Sequence, residues 1–287
     1  MGSRLKSSIG LVFSVNDLAG KGIASWLREL VGFKKLDVKN ELIAEAYYSS
    51  SFDVLLVGFN EDVIYFDFLD DVMDVDYYIV LSRHRSEAKV KSLTVHHTGN
   101  PWSRADFGGR PLELGIANPK VTKALLLNLL RYSKEFGIDD EFNVTYEVTH
   151  HGPTNLKSPL CFIEIGSSKE EWVKEDARKA VAYSVYDHIT NPTKLPDCVV
   201  ASGFGGNHYA SRFTAMAIEK GICFAHMIAK YALKAMGLNE LCIVTEQALT
   251  KSRDRVTHVF MEKKLRREWR DIVKEKANEL GIEVVFT

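Results

Sequence analysis

Histidine is concentrated in three short segments of the chain. Five of its nine histidines are His96 and His97 in VHHTGN, His150 and His151 in VTHHGPT, and His208 in GFGGNHY. Neutral imidazole is the side chain that most often binds metal ions in proteins, and the adjoining glycines let the backbone approach a ligand closely. A lone histidine more often has a structural role, but two HH pairs and a GGNH together favour a functional, metal-binding site.

Glu164, in CFIEIGSS, is the best carboxylate candidate for the same site. It lies inside an apolar run, where an ionised side chain needs a partner, and zinc accepts mixed histidine and carboxylate ligands with one position open for water. An ion pair with a buried cation, or a position facing solvent, is the alternative. Glu147, just before the second HH pair, is a weaker candidate because its strand could turn it outward.

The familiar cofactor and nucleophile motifs are missing from the sequence. It contains no HExxH, no P-loop and no GxSxG motif. GFGGNH lacks the GxGxxG spacing and no convincing acidic residue follows about 20 positions later, so no nicotinamide or flavin cofactor is expected. The backbone N–H groups of Gly205 and Gly206 are instead candidates for binding an oxyanion or a phosphate.

The elements that must position these residues alternate between strand and helix. Apolar, β-rich runs predict strands over 8–15, 54–59, 63–68, 77–81, 92–95, 142–148, 160–165, 199–202, 241–245 and 282–286. Helical spacing predicts helices over 17–30, 119–137, 169–189, up to about 220, and over 262–280. Candidate N-caps are Asp17, Asn118 before Pro119, and Ser168 with Glu171.

This order predicts an α/β fold in a single catalytic domain, residues 1–287, with a central sheet and helices on both faces. Several predicted strands end in a Gly/His/Ser segment, so we expect the site beyond the carboxyl ends of the strands. The long segment 99–119, rich in Gly, Pro and Trp, is expected to be functional or mobile.

Charge is balanced over the whole chain but not along it. The net charge of −1 excludes a uniformly basic coat for nucleic acid. Seven acids and no base lie in 61–76, whereas 251–276 holds ten Lys/Arg against five Asp/Glu. The predicted last helix would place Lys263, Arg266, Arg267 and Arg270 on one face. That face is a candidate for contacting a polyanion, and an ordinary solvated face is the alternative.

The cysteines and the terminus indicate the compartment. Cys161, Cys198, Cys223 and Cys242 lie far apart and form no CxxC pair, which predicts buried, reduced thiols. The N-terminal segment lacks the pattern of a signal peptide, and no apolar stretch reaches the ~20 residues needed to span a membrane. We therefore expect a soluble cytoplasmic protein, and the sequence is compatible with a monomer.

Four motifs together resemble the D-aminoacyl-tRNA deacylase family of the archaeal and plant type. They are VHHTGN at 95–100, VTHHGPT at 148–154, CFIEIGSS at 161–168 and GFGGNHYA at 203–210, in the order and spacing of that family. The resemblance covers essentially the whole chain, including LVFSVNDLAGKGIASWL near the start. It implies a three-layer α/β/α fold with a central mixed sheet, like that of phosphorylases and peptidyl-tRNA hydrolase.

The resemblance also implies a zinc-dependent hydrolase that cleaves the ester of D-aminoacyl-tRNA, releasing the D-amino acid and tRNA. One histidine from each segment would then bind zinc with Glu164; we assign His97, His151 and His208, although spacing does not decide within each pair. His96 and His150 would orient a ligand or act as general base. Gly205 and Gly206 would donate to the oxyanion.

Two other functions fit the same residues less well. A nucleosidase or phosphorylase could use His and Glu on a ribonucleoside. A non-catalytic tRNA-binding protein could use the histidines for a structural metal. Structural zinc sites are usually rich in cysteine, and no cysteine lies in the three histidine segments.

Overall fold

A computed structural model describes residues 4–87 and 89–287. Its strands are β1 (Leu5–Ser14), β2 (Lys34–Lys35), β3 (Ile43–Ser49), β4 (Val54–Phe59), β5 (Met73–Arg85), β6 (Ser92–His97), β7 (Gly99–Asn100), β8 (Glu113–Leu114), β9 (Asn143–Tyr146), β10 (Leu160–Ser167), β11 (Val199–Phe204), β12 (Ile222–Ile228), β13 (His258–Met261) and β14 (Glu283–Phe286). Its α-helices are α1 (Leu18–Val31), α2 (Leu69–Val72), α3 (Pro119–Glu135), α4 (Lys169–Trp172), α5 (Glu175–Thr190), α6 (Ser211–Glu219), α7 (Lys230–Ala235), α8 (Leu238–Thr250) and α9 (Arg267–Glu279).

An eight-stranded mixed sheet forms the larger part of the fold. Its order is β2-β3-β4-β1-β5-β10-β6-β9. The adjacent strands β4, β1, β5 and β10 run parallel to one another, and β4 and β10 are buried along their whole length. Strands buried on both faces read as continuous apolar runs, which VLLVGF and LCFIEI do. The predicted α/β fold with a central mixed sheet and flanking helices is confirmed.

A second sheet holds four of the strands that follow α5. Its order is β12-β11-β13-β14, and all its strands are parallel. Two backbone hydrogen bonds join the segment after β9 to the second sheet and the segment that follows β11. Val148 N–H donates to His208 O at 3.0 Å, and Thr149 N–H donates to Met227 O at 2.9 Å. The prediction of one central sheet did not foresee this division, which brings β9 and the GGNHY segment together.

The helix starts follow the predicted caps. The Asp17 carboxylate accepts from Ala19 N at 2.8 Å and Gly20 N at 3.0 Å at the start of α1. Ser168 and Glu171 form the capping box of α4, and Pro119 is the first residue of α3. The caps at Asp17 and Ser168 were predictable because they depend on side chains within a few residues of the orphan N–H groups. Asn118 occupies the N-cap position of α3, but its side chain makes no cap hydrogen bond.

Two predicted strands are wrong. Residues 241–245 lie in α8, where Leu241, Val244, Thr245 and Ala248 are buried. That spacing of three, four and seven residues is helical. Burying this one face of a helix therefore outweighs the preference of the β-rich composition for a strand. Residues 63–68 contain a short 3₁₀ helix, Val63–Tyr65, instead of a strand.

The predicted basic helix face is also wrong. α9 begins at Arg267, so Lys263 lies outside the helix. The Arg266 guanidinium lies 4.9 Å from the Trp269 ring centre, and that of Arg270 lies 5.9 Å from the Phe286 ring centre. Two of the four cations therefore pack against aromatic rings of their own chain and do not extend from one helical face.

Two cysteines differ from the prediction of reduced thiols. Cys198 and Cys223 form a disulfide, whereas Cys161 and Cys242 are free. The sheet brings the two cysteines together. Cys198 lies two residues before Val200, and Val200 is in register with Cys223 on the neighbouring parallel strand. Sequence separation alone does not reveal that register. In the described part of the chain, no helix is both long and apolar enough to span a membrane.

Candidate active site

Three polar side chains share one face of the large sheet over β10. β10 lies between β5 and β6, which brings Glu164 beside His84 and His96. Oε2 of Glu164 lies 3.7 Å from Nδ1 of His84 and 3.5 Å from Nε2 of His96. Gly166 lies directly opposite His84, and a Cβ there would come within 2.7 Å of the imidazole ring. A glycine at that position therefore makes room for the ring.

Four further side chains that can bind a metal ion lie on the segments that cover this face. Glu147 follows β9 and is completely buried, with an exposed fraction of 0%. Its carboxylate oxygens lie 3.1 Å from Nδ1 of His84, 3.4 Å from Nε2 of His150 and 3.1 Å from Nε2 of His208. His151 completes the group, with its ring centre 4.4 Å from that of His150. We call these seven side chains the His/Glu cluster: His84, His96, Glu147, His150, His151, Glu164 and His208.

The proton positions on three of the imidazoles follow from backbone contacts. Nδ1 of His96 lies 3.2 Å from His97 O, Nδ1 of His150 lies 2.8 Å from Val148 O, and Nδ1 of His151 lies 2.7 Å from Gly152 O. A carbonyl oxygen only accepts, so each Nδ1 must carry the hydrogen. In the neutral ring, Nε2 then presents its lone pair.

The ligand atoms of the cluster are close enough to share a metal ion. Three sets of three residues each have their ligand atoms within 4.8 Å of one another: His96/His150/His151, His84/Glu147/His208 and His96/Glu147/Glu164. The first two sets have no residue in common. The cluster thus has two separate three-residue ligand sets that meet at one place.

Several buried polar atoms of the cluster have no hydrogen-bond partner among the described residues. They are Nε2 of His96 and both carboxylate oxygens of Glu147. The imidazoles approach these oxygens closely but not with hydrogen-bond geometry. Buried polar atoms are nearly always satisfied in folded proteins, so the geometry and donor types fit a cation at this place.

The charges of the cluster are strongly coupled. Burial by itself raises the pKa of Glu147, but the nearby His208 and His84 outweigh burial and hold that pKa well below its usual range. Burial by itself lowers the pKa of His96, but Glu164 outweighs it and raises that pKa. Burial and then His96 lower the pKa of His151 to about 3. The cluster therefore combines an ionised carboxylate with at least one neutral imidazole.

His97 lies outside the His/Glu cluster, contrary to its assignment as the metal ligand of the first pair. Its Nδ1 lies 2.8 Å from Ala225 O, and its Nε2 accepts from Asn118 N at 3.0 Å. Both ring nitrogens are thus used by the backbone, and burial lowers the pKa of His97 to about 3. Adjacent residues of a strand face opposite sides, so His96 reaches the cluster and His97 packs behind it.

Gly205 and Gly206 do not have free N–H groups for an oxyanion. Gly205 N–H donates to Ile228 O at 2.9 Å, and Gly206 N–H donates to Oε1 of Glu262 at 2.8 Å. This corrects the prediction from sequence. Both residues have positive φ, 125° and 76°, so the glycines serve the turn that carries His208.

Comparison with known proteins identifies the family. The family model for D-aminoacyl-tRNA deacylase matches residues 72–285. The chain belongs to the D-aminoacyl-tRNA deacylase family. It is 44% identical over 276 residues to a protein of Staphylothermus marinus with that name, covering 95% of this chain and 97% of the relative. A protein of Aeropyrum pernix with the same name is 34% identical over 285 residues, covering 97% and 99%.

A solved structure has the same fold. The crystal structure of a conserved protein of unknown function, AF0625, superposes with a TM-score of 0.86. The two sequences are 32% identical, and the match covers 100% of this chain and 96% of that one. The chain therefore has the fold of that protein over its whole length.

Two members of the cluster were not selected from the sequence. His84 lies in LSRHR at the end of β5, where nothing local sets it apart. Glu147 was placed second to Glu164, yet it contacts three imidazoles of the cluster. The signal for Glu147 was its position directly before VTHH, in an otherwise buried segment. Four of the five singled-out histidines and Glu164 do meet in the cluster.

Proposed function

We propose that the chain hydrolyses the ester bond between a D-amino acid and the 3′ end of tRNA, and that the His/Glu cluster is the active site. The family name supports the reaction. The observation that supports the site is the convergence of His96, His150 and His151, whose Nδ1 atoms all face carbonyl oxygens, beside two buried carboxylates. The reaction adds water across the ester, so the acyl–oxygen bond breaks and the ribose oxygen takes up a proton.

We further propose that zinc is the cofactor. His96, His150 and His151 would hold it through Nε2, with Glu164 next to His96 offsetting its charge. Bound zinc lowers the pKa of a water ligand to about 7 and polarises a carbonyl group, which are the two needs of ester hydrolysis. Imidazole and carboxylate together form a donor set that zinc commonly accepts.

The set His84, Glu147 and His208 offers a second position for a cation. Nε2 of His84 lies 3.1 Å from the Tyr209 hydroxyl, at hydrogen-bond distance. The other ring nitrogen, Nδ1, faces Glu147. Three imidazole nitrogens lie within 3.1–3.4 Å of the Glu147 carboxylate, which places it as a ligand or counter-charge. We therefore assign Glu147 to binding positive charge and not to general-base catalysis.

The surroundings of the cluster orient the imidazoles and exclude water. The Phe162 ring stacks on His96 with ring centres 5.0 Å apart and meets the edge of His151 at 4.9 Å. Phe162 is fully buried, so the cluster is closed on the sheet side. His208 exposes 33% of its side chain, against 15% for His150. Substrate would therefore reach the cluster from the His208 side.

The two rival functions gain no support from these contacts. A nucleosidase or phosphorylase would use a phosphate or ribose site, and the N–H groups of Gly205 and Gly206 are already engaged. A purely structural metal would be expected in a closed set of ligands, whereas His208 reaches solvent.

We propose the cytoplasm as the location, because the substrate is a tRNA of translation.

The test of this function is deacylation of matched D- and L-aminoacyl-tRNA. We expect ester loss from the D-aminoacyl-tRNA to be much faster than from the L-aminoacyl-tRNA that carries the same side chain. Release of labelled amino acid measures both rates, and spontaneous hydrolysis without protein is the control. Equal rates on the two substrates, or no acceleration of either, would refute the proposed function.

A further inference from the structure

We infer that Tyr231 and Trp102 form a nucleobase-binding platform that stacks the terminal adenine of the tRNA substrate. This inference rests on the proposed function, because it assigns a position to the nucleotide that carries the ester. It concerns a surface at the entrance to the His/Glu cluster and adds a binding subsite to it.

Tyr231 lies directly at that entrance. Its hydroxyl is 3.4 Å from Nδ1 of His208, which exposes 33% of its side chain. Tyr231 is the second residue of α7 and is 41% exposed. Tyrosine and tryptophan are enriched at binding interfaces, because their rings are apolar and their polar ends can form hydrogen bonds.

Trp102 extends the aromatic surface. Its ring centre lies 5.9 Å from that of Tyr231, with the two planes inclined by 52°. It belongs to the segment between β7 and β8, whose backbone is held by the Leu112 N–H bond to Trp102 O at 3.0 Å. Trp102 is partly exposed and also packs against the second apolar core. The indole is therefore anchored on one side and accessible on the other.

The chemistry of the substrate indicates what this surface binds. The ribose whose oxygen carries the amino acid also carries the terminal base, so the base must lie close to the reacting ester. Proteins hold unpaired bases by stacking them on aromatic rings. An ester carbonyl at the His/Glu cluster thus brings the base to the aromatic surface beside His208.

The first test measures binding of AMP to the complete protein by titration calorimetry, with ribose 5-phosphate as the probe that lacks a base. We expect AMP to bind and ribose 5-phosphate to bind much more weakly. Tyr231→Ala should weaken AMP binding by about 5- to 150-fold, the range for losing one base–aromatic stack. Tyr231→Phe keeps the ring and should bind AMP nearly as well as the original protein. An equal loss of AMP affinity in both variants would show that the contact of the Tyr231 hydroxyl with His208 matters and the ring does not, which would overturn the platform.

A second aromatic surface provides the competing location. Phe107 is 65% exposed, and its carbonyl oxygen accepts from Gly152 N at 3.0 Å, next to His151. Phe107→Ala should leave AMP affinity unchanged. If Phe107→Ala weakens AMP binding and Tyr231→Ala does not, the base lies on the other surface and the inference is wrong.

Kinetics separate this inference from the proposed function. Tyr231→Ala should raise KM for D-aminoacyl-tRNA by a similar factor for a small and for an aromatic D-amino acid. A larger effect with the aromatic amino acid would mean that the platform binds the amino acid, which would overturn the inference. If the original protein deacylates D-aminoacyl-tRNA but Tyr231→Ala does not change AMP affinity, only the platform is refuted. If AMP binding depends on Tyr231 but the protein does not deacylate D-aminoacyl-tRNA, only the proposed function is refuted.

Discussion

Replacing His151 by alanine should give a folded protein that has lost bound zinc and hydrolyses D-aminoacyl-tRNA at least about 100-fold more slowly. Changing even the residues behind a metal ligand typically costs about 10- to 100-fold in affinity or activity, so losing a ligand itself should cost no less. His151 belongs to the set with His96 and His150, and its Nδ1 is already engaged with Gly152 O. Alanine removes Nε2, the only ring nitrogen turned toward the cluster.

The measurements are zinc content of the purified variant, the deacylation rate and the circular dichroism spectrum. His258→Ala is the matched control, because His258 lies on β13, its ring nitrogens contact Glu283 and Thr257, and none of its contacts among the described residues is with the cluster. It should keep zinc and full activity. His97→Ala should lower stability but retain zinc, since both ring nitrogens of His97 bind backbone groups. A fully active His151→Ala protein would rule out the proposed ligand set.

Glu147→Gln should be the most damaging change that preserves shape. The substitution keeps the size of the side chain but removes the negative charge from a fully buried position. Three imidazoles lie within 3.1–3.4 Å of this carboxylate. A buried cation that loses its counter-charge is strongly destabilised, so we expect weaker zinc binding and a deacylation rate lower by about 100-fold, the upper end for changing a group that supports a metal site.

A carboxylate outside the cluster serves as its control. Glu45 accepts from the Tyr47 hydroxyl at 2.8 Å and lies 3.8 Å from Arg28. Glu45→Gln should therefore leave zinc content and rate unchanged. If Glu147→Gln deacylated D-aminoacyl-tRNA as fast as the original protein, Glu147 would have only a packing role and the second ligand set would be withdrawn.

The sequence predicted the location of the site better than its contents. HH pairs within strands must split between two faces, and that physical rule is correct for His96 and His97. Which member faces the cluster depends on the register of β6 against β10, where His96 is opposite Phe162. Register is a long-range property, so the assignment of His97 to the metal could not be checked from local sequence.

The position of the site relative to the sheet also depended on long-range pairing. The prediction placed it beyond the carboxyl ends of parallel strands. β6 is antiparallel to β10, so His84, Glu164 and His96 lie side by side on one face of the sheet. The covering segments, with Glu147 and His208, are joined by the pairing of Glu147 with Tyr209. Caps and apolar runs were predictable because they are local, whereas these contacts join residues more than 60 positions apart.

The central claim is that the His/Glu cluster holds the metal on which deacylation depends. The most direct test is to strip metal from the protein with a chelator, remove the chelator, and follow hydrolysis of D-aminoacyl-tRNA as zinc is added back. We expect the metal-free protein to be at least about 100-fold slower, with activity returning in proportion to zinc and levelling off at one or two equivalents per chain, the number of separate ligand sets in the cluster. Glu147→Gln and His151→Ala should fail to recover under the same titration. Full D-aminoacyl-tRNA hydrolysis by protein shown to be free of metal would contradict this account.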